Sequence, residues 1–167
     1  MKKDKIYFAS DFHLGSPNLK DSHKRERKII SWLCTIEKDA KAIYLVGDIF
    51  DFWFEYKKVV PKGFVRLQGK LAEMCDQGIN INFIVGNHDM WVNDYFQKEV
   101  GLNVFENEIL IEENNQKICF AAPEAVCGVL SRQLKNLATK GKLKAVIIDE
   151  IRLRRPSAPW LSSHDSM

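Results

Sequence analysis

The first two-thirds of the chain alternates short apolar runs with longer amphipathic stretches. The apolar runs predict buried strands at residues 5–10, 42–46 and 80–85. The amphipathic stretches repeat apolar residues at helical spacing and predict helices at about 21–39, 61–77 and 90–100. Strands that alternate with helices predict an α/β fold, with a parallel-leaning sheet and helices on its faces.

Residues that favour helix ends mark some of these boundaries. Asp21 or Ser22 is expected to cap the first helix, and Pro61 to open the second. Gly78 and Gly101 follow the second and third helices, where glycine commonly ends a helix.

Strand-like pieces follow at residues 103–105, 108–112 and 117–120, with Asn114 and Asn115 between the last two. The two asparagines predict a hairpin turn, and we expect its antiparallel strands at the edge of the sheet.

The character of the sequence changes after residue 120. A helix is expected at about 123–139 and a strand at 143–148, and residues 152–167 are expected to be poorly ordered. We therefore divide the chain into a core at residues 1–120 and a divergent helix–strand segment with a tail at residues 121–167.

Composition excludes some classes of protein. The 167 residues suit one domain, and a net charge of +3 is too small to indicate a nucleic-acid partner. The four cysteines (Cys34, Cys75, Cys119 and Cys127) form no C-x-x-C pair, so we expect reduced core thiols and a cytoplasmic protein. No signal peptide or membrane-spanning run is visible, which leaves at most peripheral contact with a membrane.

Polar residues follow directly on each of the three predicted strands. The first strand leads to Asp11 and His13, the second to Gly47, Asp48 and Asp51, and the third to Gly86, Asn87, His88 and Asp89. Ligands of open α/β sheets bind at the carboxyl ends of the strands. We therefore expect these side chains to gather at one edge of the sheet.

The residue types at this edge suit divalent metal ions. Asp11 and His13 are two residues apart and can share one cation, Asp48 can bridge two, and Asn87 offers an amide oxygen. Such oxygen and nitrogen ligands suit Mn²⁺, Fe²⁺, Zn²⁺ or Mg²⁺. His88 is free to donate a proton to a phosphoryl or leaving oxygen.

Two further carboxylates lie in the same loops. Asp89 is expected either to orient His88 or to cap the following helix. Asp51 is expected to support the ligands or cap its loop rather than to bind metal.

Residues 50–56 contain five aromatic side chains in seven positions. They either pack in the core or form a wall of the substrate pocket. Phe52, Trp53 and Phe54 are the candidates for contact with substrate.

Asp11-x-His13, Gly47-Asp48-x-x-Asp51 and Gly86-Asn87-His88-Asp89 resemble the first three motifs of the calcineurin-like metallophosphoesterases. Residues 45–54 most resemble the branch of this family that hydrolyses UDP-2,3-diacylglucosamine in lipid A biosynthesis. The resemblance implies a hydrolase of lipid metabolism in which water attacks the phosphorus next to uridine, giving UMP and diacylglucosamine 1-phosphate.

The resemblance also implies roles for the residues that match. Asp11, His13 and Asp48 would hold one divalent metal, and Asp48 and Asn87 a second, with Mn²⁺ as the first choice. His88 matches the position beside the phosphoryl group. A lipid-linked nucleotide substrate would bring the protein into peripheral contact with the inner membrane.

The chain departs from the family pattern after residue 120. The family continues with two histidine motifs, whereas only His164 follows His88 in this sequence. We therefore expect a C-terminally altered or truncated member, through a shifted reading frame or a domain replacement. No side chain of residues 121–167 is then expected to complete the second metal site.

This departure leaves other functions open. The chain could be a phosphoesterase for another substrate, or a non-catalytic interaction protein that keeps the fold. A two-component receiver domain is disfavoured, because it needs a lysine after a late strand and has no Asn-His-Asp loop.

Overall fold

The computed structural model describes residues 3–106 and, beyond them, three strands. The elements in chain order are β1 (Lys5–Ala9), α1 (Leu19–Ile36), β2 (Ala40–Val46), α2 (Val65–Asp76), β3 (Asn80–Ile84), a π-helical turn (Phe96–Val100), β4 (Asn103–Phe105), β5 (Ile109–Glu113), β6 (Gln116–Phe120) and β7 (Ala145–Ile148).

The central sheet has five parallel strands in the order β4-β3-β2-β1-β7. This confirms the predicted α/β fold and places the carboxyl ends of all five strands at one edge. The strand expected at 143–148 is confirmed as β7, which pairs with β1 from Ile6↔Ala145 to Ala9↔Ile148. Part of the segment after residue 120 thus belongs to the central sheet.

The predicted hairpin is also present, in a different place from the one expected. β5 and β6 pair antiparallel, and Glu113 opposite Gln116 brackets the two asparagines. These strands form a separate two-stranded sheet rather than an edge of the five-stranded one. The prediction of antiparallel strands within one mixed sheet was therefore wrong for the strands that the structure describes.

The cap of the first helix lies earlier than expected. Asn18, rather than Asp21 or Ser22, caps α1, and its side-chain oxygen accepts the backbone N–H of Asp21 at 3.0 Å. Asp21 instead lies in the first turn, where a negative charge favours the helix dipole.

The second helix begins at Val65, four residues after Pro61, and its first turn is capped from another helix. Its cap residue Phe64 has a positive φ of 52° and supplies no side-chain hydrogen bond. The buried carboxylate of Glu26 on α1 accepts the backbone N–H of Leu67 at 3.2 Å instead. This contact fixes the start of α2 against α1.

The third predicted helix is much shorter than expected, because only Phe96–Val100 forms a π-helical turn. Gly101 follows it with φ +84°, as predicted for the residue that ends this element.

The core fills the space between the sheet and the helices. Its largest fully buried side chains include Trp32 and Leu33 of α1, Ile43 of β2 and Phe83 of β3. The expectation that all cysteines are core thiols was wrong for Cys34, which is exposed. Cys75 is partly buried, and both are free thiols.

Several expectations concern residues outside those described. They are the helix at 123–139, the order of residues 152–167, and the contribution of 121–167 to a second metal site. The boundary at residue 120 also stays a prediction. Within the described part of the chain, no helix is long and apolar enough to cross a membrane.

Candidate functional site

Three loops follow β1, β2 and β3 at the carboxyl edge of the sheet, and backbone hydrogen bonds hold them side by side. The N–H of Asp11 donates to the carbonyl of Gly47 at 3.2 Å, and that of His13 donates to Asp48 at 2.9 Å. The N–H of Gly47 in turn donates to Ile84 at 2.8 Å. The loop positions are therefore set by the sheet and by each other.

Asp11, His13 and Asp48 converge at this edge. The Nε2 of His13 lies 3.9 Å from the Oδ1 of Asp11 and 3.9 Å from the Oδ2 of Asp48. One ligand atom from each residue lies within 4.8 Å of the others, and all three residues are partly buried. Two carboxylates and an imidazole at this separation fit a divalent cation such as Mn²⁺, Fe²⁺ or Zn²⁺.

A second cluster shares His13 and adds Asp51 and His88. The Oδ1 of Asp51 lies 3.7 Å from the Nδ1 atoms of both histidines, whose rings meet edge to face with centroids 4.6 Å apart. This group also satisfies the spacing of a metal site. Sequence reasoning gave Asp51 a supporting role, although its place three residues after Asp48 already put it in the ligand loop.

The ring of His88 is oriented by the second loop. Its Nδ1 lies 3.0 Å from the backbone carbonyl of Asp51, so a proton on Nδ1 is donated to that carbonyl. The backbone N–H of His88 donates to the Oδ1 of Asp48 at 3.1 Å. The Nε2 of His88 therefore remains available to another group.

Asn87 lies between two residues that contact Asp48. Its neighbour His88 donates to the Asp48 carboxylate, and its other neighbour Gly86 packs directly against Asp48. The side chain of Asn87 itself is exposed. The structure thus places Asn87 at the cluster, while its role as a ligand stays a prediction.

Gly86 allows the second and third loops to approach each other. A Cβ at this position would lie 2.4 Å from the Oδ1 of Asp48 and 2.9 Å from the Cα of Gly47. Real Cβ atoms do not make such contacts, so only glycine fits here. The absence of a side chain at Gly86 makes room for the Asp48 carboxylate.

The backbone at the candidate ligands is strained. Asp11, His13 and Asp48 have positive φ angles of 57°, 41° and 55°. Such conformations cost roughly 1–3 kcal/mol each in non-glycine residues and persist only where the surroundings enforce them, often at functional sites.

Asp89 has a different role from either of those expected. Its buried carboxylate accepts the backbone N–H of Gly86 at 2.6 Å and that of Ile49 at 2.9 Å. It therefore joins the third loop to the second. Burial raises the pKa of Asp89 to about 6, although these hydrogen bonds favour the charged form.

The aromatic residues after Asp51 divide between the core and the surface. Trp53 is 1% exposed and packs against Phe50 and Phe96, so its interpretation as a substrate-contact residue is corrected to one of core packing. Phe52 and Phe54 are exposed, and both rings lie beside the exposed ring of Trp91. Trp91 was not singled out from the sequence, although it follows Asp89 by two residues.

A parallel sheet with this cluster at its carboxyl edge is the architecture of an α/β protein with a candidate metal site, and sequence comparison gives the class. The profile of the calcineurin-like phosphoesterase family matches residues 4–163. The chain therefore belongs to the calcineurin-like phosphoesterases, a family of hydrolases whose chemistry depends on divalent metal ions.

Two similar curated proteins carry the same name. The UDP-2,3-diacylglucosamine hydrolase of Porphyromonas gingivalis is 51% identical over 110 residues, which cover 66% of this chain and 42% of that protein. The protein of the same name from Vibrio parahaemolyticus is 28% identical over 72% of this chain and 48% of its own length. The chain thus spans less than half the length of these relatives.

A solved structure supports the fold alone. The protein of unknown function AQ665 from Aquifex aeolicus superposes with a TM-score of 0.51 at 17% sequence identity. The match covers 86% of this chain and 76% of that protein.

Proposed function

We propose that this chain is a metal-dependent hydrolase of UDP-2,3-diacylglucosamine, which it cleaves to UMP and diacylglucosamine 1-phosphate. The observation that carries this proposal is the convergence of Asp11, His13 and Asp48, with Nε2 of His13 3.9 Å from both carboxylates. The names of the relatives from P. gingivalis and V. parahaemolyticus support the choice of substrate.

The donor set supports a choice of metal-binding residues. Asp11, His13 and Asp48 would hold one divalent cation, and Asp48 with Asn87 a second, with Mn²⁺ as the first choice. When bound, such cations activate water as a nucleophile and neutralise charge on the attacked phosphoryl group. The space that Gly86 leaves for the carboxylate of Asp48 supports Asp48 as the shared ligand.

His88 and Asn87 would contact the phosphoryl group. The carbonyl of Asp51 fixes the ring of His88, so its Nε2 can serve the leaving oxygen as a hydrogen-bond or proton donor when the ring is protonated. Asn87 is exposed beside it and can orient a phosphoryl oxygen through its amide.

The exposed aromatic residues would bind the lipid part of the substrate. Phe52, Phe54 and Trp91 form one exposed group directly after the ligand loops, and such rings give a large apolar contact area. A protein that acts on a lipid-linked nucleotide would be cytoplasmic and would touch the inner membrane peripherally.

The test is hydrolysis by the purified chain with Mn²⁺, measured as release of UMP from UDP-2,3-diacylglucosamine. Asp48→Ala should abolish the activity, and Fe²⁺, Zn²⁺ and Mg²⁺ are compared in parallel. Faster turnover of a simple aryl phosphate would instead indicate a phosphoesterase for another substrate. Metal analysis then gives the number of ions per chain, and two tightly held ions would contradict an incomplete second site.

A second candidate function is a non-catalytic protein that keeps the phosphoesterase fold. The observation in its favour is that only His164 follows His88, so the later histidine motifs of the family have no match. Absence of hydrolysis with every divalent ion, in a folded chain, would favour this function.

A further inference from the structure

The loop between β1 and α1 carries two of the candidate ligands and is held from two sides. On one side its N–H groups bind the second loop, through Asp11 to Gly47, His13 to Asp48 and Leu14 to Ile49. The second loop also satisfies one acceptor, because the carbonyl of Leu14 accepts the N–H of Asp51 at 3.0 Å. The carbonyls of Phe12, His13 and Ser16 need other donors.

The carbonyl side of this loop is bound by Arg25 of α1. Its Nη1 donates to the carbonyl of Phe12 at 2.7 Å and to that of His13 at 2.9 Å, and its Nη2 donates to Ser16 at 2.9 Å. Arg25 is only 7% exposed. A planar guanidinium with several fixed donors can hold three carbonyls at once, which the single ammonium group of lysine cannot do in the same geometry.

The hydrogen bonds of Arg25 bracket the strained part of the loop. Asp11 and His13 both have positive φ angles, and the contacted carbonyls belong to Phe12, to His13 and to Ser16 beyond them. Other donors also reach this side, since the carbonyl of His13 accepts the N–H of Ser16 at 3.2 Å and that of Ser16 accepts the Ser22 hydroxyl at 3.0 Å. Loss of Arg25 still removes three of the hydrogen bonds that oppose the strain, which lets the loop relax toward ordinary backbone angles. Such relaxation would move the carboxylate of Asp11 and the imidazole of His13 away from Asp48.

We propose that Arg25 is a positioning residue for the metal centre: it holds the first ligand loop in the conformation that presents Asp11 and His13 to a divalent cation. This inference rests on the proposed function, because it assumes that these side chains bind metal. Arg25 contacts the backbone of the loop and is itself no ligand.

Because Arg25 is charged, its replacement can either tighten or weaken metal binding, and the direction of the change tests the proposal. A positive charge close to a cation site repels the cation, so loss of charge alone should tighten metal binding. Loss of positioning should weaken it, by about 10-fold to 100-fold if it resembles the loss of other groups that orient metal ligands. The two explanations therefore predict opposite changes in the dissociation constant.

The adjacent residue offers a matched control. Glu26 is also buried on the same helix, but its carboxylate accepts the N–H of Leu67 at the start of α2 rather than contacting the ligand loop. Glu26→Gln should therefore lower the melting temperature without changing metal affinity more than about twofold.

The experiment is calorimetric titration of the chain with Mn²⁺ alone, together with thermal unfolding. We expect Arg25→Gln to raise the dissociation constant at least about 10-fold, and Arg25→Lys to raise it although the charge is kept. Should Arg25→Gln fail to fold, Arg25→Lys alone decides the question. Unchanged or tighter Mn²⁺ binding in the folded Arg25 variants would overturn the proposal. An equal loss of Mn²⁺ affinity in Glu26→Gln would overturn it as well.

The wild-type titration separates this inference from the proposed function. If the wild-type chain binds no Mn²⁺, the assignment of the metal site is wrong, and so is the proposed role of Arg25. If the wild-type chain binds Mn²⁺ and Asp48→Ala does not, the site stands, and the Arg25 variants then test only the positioning.

Discussion

The carboxylate of Asp89 accepts the backbone N–H of Ile49 at 2.9 Å across two loops that are 40 residues apart in sequence. Its other oxygen accepts the N–H of Gly86 at 2.6 Å. One buried side chain thus satisfies donors from both the second and the third ligand loop. This connection joins the backbone next to Asp48 to the backbone next to Asn87.

Asp89→Asn should destabilise the protein. An amide keeps one acceptor oxygen and places an NH₂ group against the second backbone donor, so one buried N–H loses its partner. We expect a loss of about 1–3 kcal/mol, because this is the usual cost of a buried unsatisfied group. The pKa of Asp89 is about 6, so the comparison belongs at pH 7.5, where the wild-type carboxylate is ionised. Thermal or urea unfolding measures the difference.

Asp94→Asn is the control for the loss of a carboxylate. Asp94 pairs with Lys98 at the surface, and exposed ion pairs contribute only about 0–1 kcal/mol. An Asp89→Asn variant as stable as Asp94→Asn would show that the connection between the loops contributes little.

The elements near the site were predictable because their signals are local. Strands β1, β2 and β3 are apolar runs that end in polar residues, and parallel strands bring those ends to one edge. The sequence therefore predicts that Asp11, His13 and Asp48 lie close together. The start of α2 was missed because Glu26 reaches it from another helix, and no local pattern at residues 61–65 encodes that contact.

Side-chain burial within loops was harder to predict. Alternation places Trp53 in the core and its neighbours Phe52 and Phe54 outside, although all three are aromatic. The role of Asp89 depends on how closely two loops approach, which depends on the space that Gly86 leaves. Arg25 was not singled out at all, because an arginine in an amphipathic helix ordinarily faces solvent.

Two glycine-to-alanine substitutions should change stability in opposite directions. Gly86→Ala should destabilise by about 1–3 kcal/mol and weaken Mn²⁺ binding, because its Cβ would overlap the Asp48 carboxylate. Gly69 lies in α2 with open space around its Cα, so Gly69→Ala should stabilise by about 0.5–1 kcal/mol. Melting curves and Mn²⁺ titrations of both variants measure these effects, and wild-type metal affinity in Gly86→Ala would contradict the tight contact.

Neighbouring aromatic residues should separate stability from substrate binding. Trp53→Ala should cost about 3–5 kcal/mol, because it empties a fully buried position. Phe52→Ala should change stability by less than about 0.5 kcal/mol, since the side chain is 58% exposed. If Phe52 binds acyl chains, its loss raises KM for the lipid substrate and leaves that for an aryl phosphate unchanged. An equal rise in KM for both substrates would show that Phe52 does not bind the lipid part of the substrate.

Divalent metal should stabilise the folded chain through its three converging ligands. A ligand that binds only the folded state adds about 2.7 kcal/mol at 100 times its dissociation constant, which corresponds to roughly 5–10 °C in a protein of this size. Thermal unfolding with Mn²⁺, and again after a chelator removes it, should show this difference. The cation also offsets repulsion between the carboxylates of Asp11 and Asp48, both of which lie near His13.

Asp48→Asn distinguishes specific binding from a general effect of salt. The variant keeps the size of the side chain but loses the charge, and its oxygen still accepts the N–H of His88 only in one amide orientation. We expect the Mn²⁺-dependent rise in melting temperature to fall to less than a third of the wild-type value. A cation site that loses one of its two carboxylates loses much of its attraction for the cation. An equal rise in melting temperature in wild type and variant would mean that Mn²⁺ binds elsewhere. The cluster around His13 would then not be the metal site.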